Sequence, residues 1–182
     1  WMQADPVRIL QNQSWLDVAI GGGHTCAVTL AGGKIYCWGA NGSGQSGTLP
    51  LLAAVVKTLL ASPGRFLSAL ALAIRMGRRA DRPLPYHLLY LAEACRILPW
   101  LRSFGAQHLH AHFCNNPAEV AMLLHALGGP SYSFTVHGTA EFDKLDFLGI
   151  EQKVERAAFV VSVSSFGRSQ LYRRINYAHW HK

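Results

Sequence analysis

A strand–helix–strand pattern over residues 107–138 limits the possible folds of this chain more than any other part of its sequence. Histidines alternate with apolar residues over 108–112, which is the period of a β-strand. A second apolar and β-branched run covers 132–137, and a mostly apolar helix is predicted between the two strands. Two strands joined through a helix predict a βαβ unit with parallel strands and a right-handed crossover.

The predicted helix has sequence signals at both ends. Asn116 suits the N-cap and Pro117 suits the first helical position. Glu119 follows the cap by three residues, which predicts a capping box. Two glycines and a proline at 128–130 predict the end of the helix.

Residues 48–182 are therefore predicted to form an α/β domain, a partial Rossmann-like parallel sheet with flanking helices. Apolar helical runs cover 51–60, 66–74 and 86–104. The continuous apolar run 159–163 predicts a third parallel strand, buried on both faces. The hydrophobic content of 50% and the charged content of 15% are typical of a globular chain and exclude a disordered one.

Residues 1–47 differ in composition and are predicted to form a separate, small β-hairpin segment. Glycines punctuate short strand-like runs here, and Ala31-Gly32 is a hairpin signal. If these two residues form the loop, Cys26 faces Cys37 across the hairpin. The two cysteines would then be close enough for a cross-strand disulfide.

The formal net charge of +7 is unevenly placed. Residues 49–82 hold six basic residues and one acid, Asp81. A basic surface indicates anionic partners such as phosphates, lipid headgroups or nucleic acid, and plain solubility is the alternative. No recognised nucleic-acid-binding motif accompanies the charge, so nucleic acid is not the expected partner.

Peripheral membrane contact is expected through residues 50–82. The apolar runs in this segment are shorter than the roughly 20 residues that a membrane span needs, and they are interrupted at 63–65. Basic residues within the runs suit a position on the membrane surface. Two core-packing helices with a solvated basic edge are the alternative. The basic residues concerned are Lys57, Arg65, Arg75, Arg78 and Arg79.

The candidate functional site lies where the two predicted strands end. Ligands of parallel sheets bind at the carboxyl ends of the strands, and both strands end in histidine, at His112 and His137. Imidazole can orient a hydroxyl or donate a hydrogen bond to a leaving group that develops charge. Glu141 and Asp143 follow in a loop and are candidates for binding hydroxyls, with a solvated loop as the alternative.

Two further residues are candidates at the third strand. Ser164 precedes a predicted helix whose first turn offers backbone N–H groups to an anion, and Arg168 could meet a phosphate there. Plain N-capping by the serine and a surface position of the arginine are the alternatives. No metal site is expected, because no C-x-x-C spacing occurs and the histidines over 108–112 are too far apart to converge on one ion.

The first segment resembles a known repeat. The letters W-L-D-V-A-I-G-G-G-H-T-C-A-V at 15–28 and G-K-I-Y-C-W-G-A-N-G-S-G-Q at 33–45 resemble one repeat of the regulator-of-chromosome-condensation β-propeller family. The likeness covers about residues 6–46. It implies a protein-interaction module, or an isolated fragment of one, since propeller blades normally bury their faces against neighbouring blades.

The remainder resembles the N-terminal domain of family-four glycosyltransferases of the GT-B fold, of the bacterial exopolysaccharide and colanic-acid type. The likeness is carried by several segments in order. These are H-L-H-A-H-F at 108–113, N-P-A at 116–118, Y-S-F-T-V-H-G at 132–138, F-V-V-S-V-S-S-F at 159–166 and R-S-Q-L at 168–171.

This resemblance implies retaining transfer of a sugar from a nucleotide-sugar to a saccharide or lipid-linked acceptor. It implies no metal or other cofactor, with the nucleotide-sugar as co-substrate, and a cytoplasmic place at the inner face of the membrane. His137 matches the family histidine and is the expected catalytic residue. The expected substrate-binding residues are His112, Asn116, Gly138, Glu141, Asp143, Ser164 and Arg168.

Two departures from the family limit the expected activity. The family's first strand and glycine-rich turn are missing, and the propeller-like repeat stands in their place. The second domain, which carries paired glutamates and binds the nucleotide-sugar, does not follow within the 182 residues. The chain is therefore expected to be inactive alone, and a propeller-type interaction module or a non-functional chimeric fusion joined near residue 47 are the alternatives.

Overall fold

One mixed sheet of six strands organises the computed structural model, which describes residues 15–20, 24–29, 35–39 and 48–182. The strands lie side by side in the order β3-β2-β1-β4-β5-β6. Their bounds are β1 Trp15–Ile20, β2 His24–Thr29, β3 Ile35–Gly39, β4 His108–His112, β5 Ser131–Val136 and β6 Phe159–Ser162.

Seven α-helices accompany these strands in the described part of the chain. The first two helices are separated only by Ser62. The helices are α1 Thr48–Ala61, α2 Pro63–Gly77, α3 Leu84–Phe104, α4 Asn116–Ala126, α5 Thr139–Phe142, α6 Ile150–Arg156 and α7 Ser165–Tyr172.

The predicted parallel sheet is confirmed in strands β4, β5 and β6, which pair in parallel. Because these strands follow one another across the sheet in chain order, right-handed crossovers place their connecting helices on the same face. That face carries Leu109, Ala111, Tyr132 and Phe134, all fully buried. The helices α2, α3, α4 and α6 contribute to the core over it. The expected α/β class with a partial Rossmann-like sheet is therefore confirmed.

The first three strands extend this sheet. β1, β2 and β3 pair in antiparallel fashion, and β1 also pairs in parallel with β4 through Ala19–His110 and Ile20–Ala111. β1, which belongs to the propeller-like repeat, is thus the strand next to β4. The expected division at residue 47 into two domains stays a prediction.

The backbone of the predicted hairpin has the register expected from a two-residue loop. Cys26 and Cys37 are opposite each other in the β2–β3 pair. The loop residues 31–32 lie outside the described residues, as do both cysteine side chains. The disulfide between them therefore stays a prediction.

The prediction that β6 is buried on both faces is wrong. Phe159 and Val161 are 45% and 40% exposed, because β6 is the last strand of the sheet and the helices lie on its other face. The ring of Phe159 instead stacks parallel on His108, with centroids 5.5 Å apart. The continuous apolar run indicated the strand correctly but not its exposed side.

The predicted capping box at the start of α4 is also wrong. The N-cap is Asn115, whose side chain makes no capping hydrogen bond, and Asn116 is the first helical residue. The Glu119 carboxylate turns into the core, where it meets His87. The end of α4 is as predicted, since Gly128 has φ +86° and its N–H donates to the His125 carbonyl.

Candidate functional site

The structure brings the two strand-end histidines together at the carboxyl edge of the sheet. β4 and β5 run in parallel with His112 opposite Thr135, so that His112 and His137 extend from neighbouring strand ends. The His112 Nδ1 and His137 Nε2 atoms are 3.0 Å apart, within hydrogen-bonding distance, and both side chains are exposed. The sequence predicted that both histidines lie at this edge of the sheet. It did not predict that their rings are in contact.

A hydrogen bond between two imidazoles has a chemical consequence. One ring nitrogen must carry the shared hydrogen and the other must offer a lone pair. Protonating both facing nitrogens of His112 and His137 would leave the bond without an acceptor. In neutral rings, the two remaining nitrogens, His112 Nε2 and His137 Nδ1, are then one donor and one acceptor, and the two roles can be exchanged. Such a pair suits a hydroxyl, which both donates and accepts a hydrogen bond.

Phe113 is a site residue that sequence reasoning missed. Its φ is +76°, the only positive φ of a non-glycine residue in the described part of the chain. Its ring is 43% exposed and lies 4.7 Å from the His137 ring, between centroids. Such strained backbone persists where surrounding contacts enforce it. Here the Phe113 N–H donates to the Thr135 carbonyl at 2.9 Å, which fixes the strand end.

A buried carboxylate holds the two strand ends in place. Glu141 Oε1 accepts the N–H of Cys114 at 2.5 Å, and its Oε2 accepts the N–H groups of His137 at 2.6 Å and Gly138 at 3.3 Å. The side chain is buried, and both of its oxygens are occupied by backbone donors. Glu141 therefore joins the backbone after β4 to the backbone after β5.

A buried lysine also stabilises the turn between β4 and α4. Lys153 of α6 donates from Nζ to the carbonyls of Cys114 at 2.7 Å and Asn115 at 2.9 Å. Its Nζ lies 4.0 Å from Glu119 Oε2, and Glu119 Oε1 lies 2.5 Å from His87 Nδ1. Burial lowers the pKa of Lys153, while the negative charge of Glu119 opposes that shift. Burial likewise raises the pKa of the Cys114 thiol, so this cysteine stays protonated.

The other two histidines of β4 lie on the sheet face that carries Phe159. Each ring bridges two hydroxyls of β5. His108 meets Ser131 at 2.8 Å and Ser133 at 2.7 Å. His110 meets Ser133 at 2.7 Å and Thr135 at 2.8 Å. This His–hydroxyl ladder ties β4 to β5 through side chains in addition to the backbone.

The remaining predicted residues have varied surroundings. Asn116 is half-buried at the start of α4, and Asp143 is exposed just after α5. The position of Gly138 does not require a glycine, because its φ is not positive and an added Cβ would meet nothing within 4 Å. Gly138 contributes its N–H to Glu141 rather than its conformational freedom.

Ser164 and Arg168 lie together beside a separate cavity. Ser164 is the N-cap of α7, and its Oγ accepts the Gly167 N–H at 3.0 Å, as the alternative interpretation of this serine required. The cavity of about 350 Å³ is lined by Ser162, Ser164, Arg168 and Trp180, among others. Arg168 is exposed at its margin, where it could meet an anionic group.

Within the described residues, no group of three or more His, Cys, Asp or Glu side chains is placed to hold a metal ion. The same residues contain no helix with the length and apolar character that crossing a membrane requires. Cys95 and Cys114 are free and buried.

Comparison with known proteins identifies one segment of the chain. The family model of the regulator of chromosome condensation (RCC1) repeat matches residues 15–45. These residues carry β1, β2 and β3, and the predicted repeat is confirmed for this segment. No curated protein and no solved structure matches the chain. The likeness of residues 48–182 to glycosyltransferases has no support from these comparisons and stays a prediction.

Proposed function

We propose that residues 48–182 form the acceptor-binding side of a retaining glycosyltransferase, which transfers a sugar from a nucleotide-sugar to a saccharide or lipid-linked acceptor in exopolysaccharide biosynthesis. The observation that carries this proposal is the pair of exposed imidazoles, His112 and His137, with ring nitrogens 3.0 Å apart at the carboxyl edge of a parallel sheet. Ligands of such sheets bind at that edge.

The groups around the pair suit a sugar. A pyranose has hydroxyls around its rim and an apolar face of C–H groups, so it needs both polar and aromatic partners. His137 provides a ring nitrogen for a hydroxyl, and the adjacent exposed ring of Phe113 provides an apolar surface. Asp143 lies exposed in the segment that follows and can accept a further hydroxyl.

In this proposal His137 is the catalytic residue and orients the acceptor hydroxyl, while His112 determines which nitrogen of His137 carries the hydrogen. Residues 48–182 provide one side of a two-sided cleft. Binding of a saccharide, rather than sugar transfer, is therefore the property to measure on this chain.

Saturation-transfer NMR with a panel of glucose, galactose and mannose disaccharides tests the proposal. We expect at least one disaccharide to bind. Replacing His137 by Ala should weaken that binding about tenfold or more, since a lost hydrogen bond to a polar ligand group costs about 1–2 kcal/mol. The free energy of unfolding should change by only about 1 kcal/mol, because the side chain is exposed.

The matched control is His125→Ala. His125 is exposed near the end of α4, whereas the strand-end pair lies near the start of that helix. Its substitution should leave saccharide binding unchanged. Equal loss of binding in both variants, or a loss of several kcal/mol of stability with unchanged binding in His137→Ala, would contradict the assignment of His137.

A second candidate function, a protein-interaction module, is favoured by the repeat match over residues 15–45. The antiparallel strands β1, β2 and β3 are compatible with part of a propeller blade. Amide hydrogen exchange distinguishes the two candidates. A bound disaccharide should slow exchange over 112–143. Protection confined to 15–39 would instead assign binding to the repeat.

A further inference from the structure

The helix α1 exposes an apolar stripe along its whole length. Five large aliphatic side chains recur at a spacing of three or four residues and so share one helical face. Leu49 and Leu60, at its two ends, are 78% and 77% exposed. The stripe residues are Leu49, Leu52, Val56, Leu59 and Leu60.

The packing of the described residues does not account for this stripe. α1 already packs through its opposite face, where Ala54 and Val55 lie against the core and Thr58 is half-buried. α1 is therefore apolar on two faces, and only one of them is covered. A contiguous exposed apolar surface of this kind marks a site of interaction with a partner or with lipid.

The charge around the stripe favours a lipid surface with anionic headgroups. Lys57 is exposed three residues before Leu60, at the border of the stripe, and Arg65 is exposed in the first turn of α2. The one acid over residues 49–82, Asp81, is already paired with Lys144 at 2.8 Å. Within residues 49–82 no other acid competes with phosphate-bearing headgroups for Lys57 and Arg65.

We propose that α1 lies flat on an anionic membrane surface, with its apolar stripe inserted among the lipid chains and Lys57 and Arg65 at the headgroups. The 14 residues of α1 extend about 21 Å, and the helix lies along the interface rather than across it. The proposal does not depend on the saccharide site, because no stripe residue belongs to it.

Co-sedimentation of the full chain with vesicles of phosphatidylcholine and phosphatidylglycerol tests this docking. We expect binding to the mixed vesicles, weak binding to pure phosphatidylcholine, and weakening by added salt. Leu52→Gln and Val56→Gln should each lower the partition coefficient about tenfold or more, since each removes a buried aliphatic side chain from the lipid phase.

Val163→Gln is the matched control. Val163, the residue after β6, is 55% exposed, and Val56 is 51% exposed. The control should bind vesicles like the wild type. Circular dichroism of each variant shows that the fold is kept, which α1 should tolerate because the replaced side chains point to solvent.

Three results would overturn the proposal. The first is equal binding to vesicles with and without phosphatidylglycerol. The second is vesicle binding that Leu52→Gln and Val56→Gln leave unchanged. The third is a dimer in sedimentation velocity that these two variants dissociate, because a second copy of the chain would then cover the stripe.

Discussion

At the scale of single residues, the candidate site depends on a buried carboxylate that accepts backbone N–H groups. Glu141 accepts backbone N–H groups from both strand ends, and these N–H groups belong to the residue after Phe113 and to His137 itself. Glu141 was predicted to bind acceptor hydroxyls, and that role stays a prediction. In the structure its side chain is buried and both of its oxygens accept backbone N–H groups, which holds the two strand ends in place.

Replacing Glu141 by Gln should therefore lower the free energy of unfolding by about 2 kcal/mol, since the new amide N–H₂ would face a backbone N–H and leave buried donors without an acceptor. Asp143→Asn, in the same segment but exposed, is the control and should change stability by less than about 0.5 kcal/mol. Urea unfolding of both variants measures the difference. Equal effects would show that Glu141 does not hold the strand ends.

At the scale of elements, α6 supports the turn between β4 and α4. Lys153 reaches from α6 to two carbonyls of that turn, and Glu119 of α4 lies nearby with His87 of α3 beyond it. Three helices and a strand end thus meet around one buried ammonium group. A local sequence motif cannot reveal such a contact, because its members are far apart in the chain.

Lys153→Met should destabilise the chain by about 3 kcal/mol or more, because it leaves the Glu119 carboxylate buried without its cation and two carbonyls without a donor. Lys144→Met is the control, since that surface pair with Asp81 should contribute less than about 1 kcal/mol. Similar losses from the two lysines would contradict the buried network.

The pH dependence of stability gives the same substitution a second readout. Burial holds the pKa of Lys153 below its ordinary value, so the unfolded chain binds more protons than the folded chain as pH rises toward about 10.4. Wild-type stability should therefore rise with pH in that range relative to Lys153→Met. A difference between the two that falls with pH would contradict a lowered pKa.

At the scale of the whole molecule, the repeat and the α/β part meet where β1 pairs with β4. β5 is paired on both sides and its side chains are mostly buried, whereas β1 meets β4 in register at two positions. A lone repeat also lacks the neighbouring blades that bury its faces in a propeller. The two parts are therefore expected to differ in local stability.

Hydrogen exchange followed by mass spectrometry checks this expectation. Amides of β1, β2 and β3 should exchange faster than those of β5, because local opening costs least where few buried contacts hold the backbone. The β4 peptide serves as an internal reference, since it joins both parts. Protection of β1 equal to that of β5 would mean that the sheet opens as one unit across the junction.

Sequence reasoning succeeded where one strand or helix determines its own pattern. The alternation over 108–112 predicted β4 at its observed bounds, and the shared strand ends predicted that His112 and His137 would lie near each other. It failed where residues far apart in the chain determine the position of a side chain. Glu119 is drawn into the core by a histidine 32 residues earlier in the chain, which overrides its capping motif.

The positive φ of Phe113 could not be predicted either, because it results from bonds that close only after β4 and β5 pair. The exposed face of β6 depends on its place at the end of the sheet, and a run of apolar letters is the same for an edge strand and a central one. Local periodicity thus predicts where strands and helices lie in the sequence, but it does not predict what packs against them.

The His–hydroxyl ladder also has a direction. Ser131 donates its one hydroxyl hydrogen to the Gln107 carbonyl at 3.2 Å, so its oxygen must accept from His108 Nδ1. In a neutral His108 ring, Nε2 then has only a lone pair and must accept the hydrogen of Ser133.

The same step repeats along the strand, which makes His110 a donor at Nδ1 and an acceptor from Thr135 at Nε2. The Ser133 hydroxyl has one hydrogen, so it donates to His108 and accepts from His110, and the tautomer of His108 therefore fixes the tautomer of His110. The two imidazoles, two residues apart on one strand, are thus coupled in tautomer through a single serine hydroxyl.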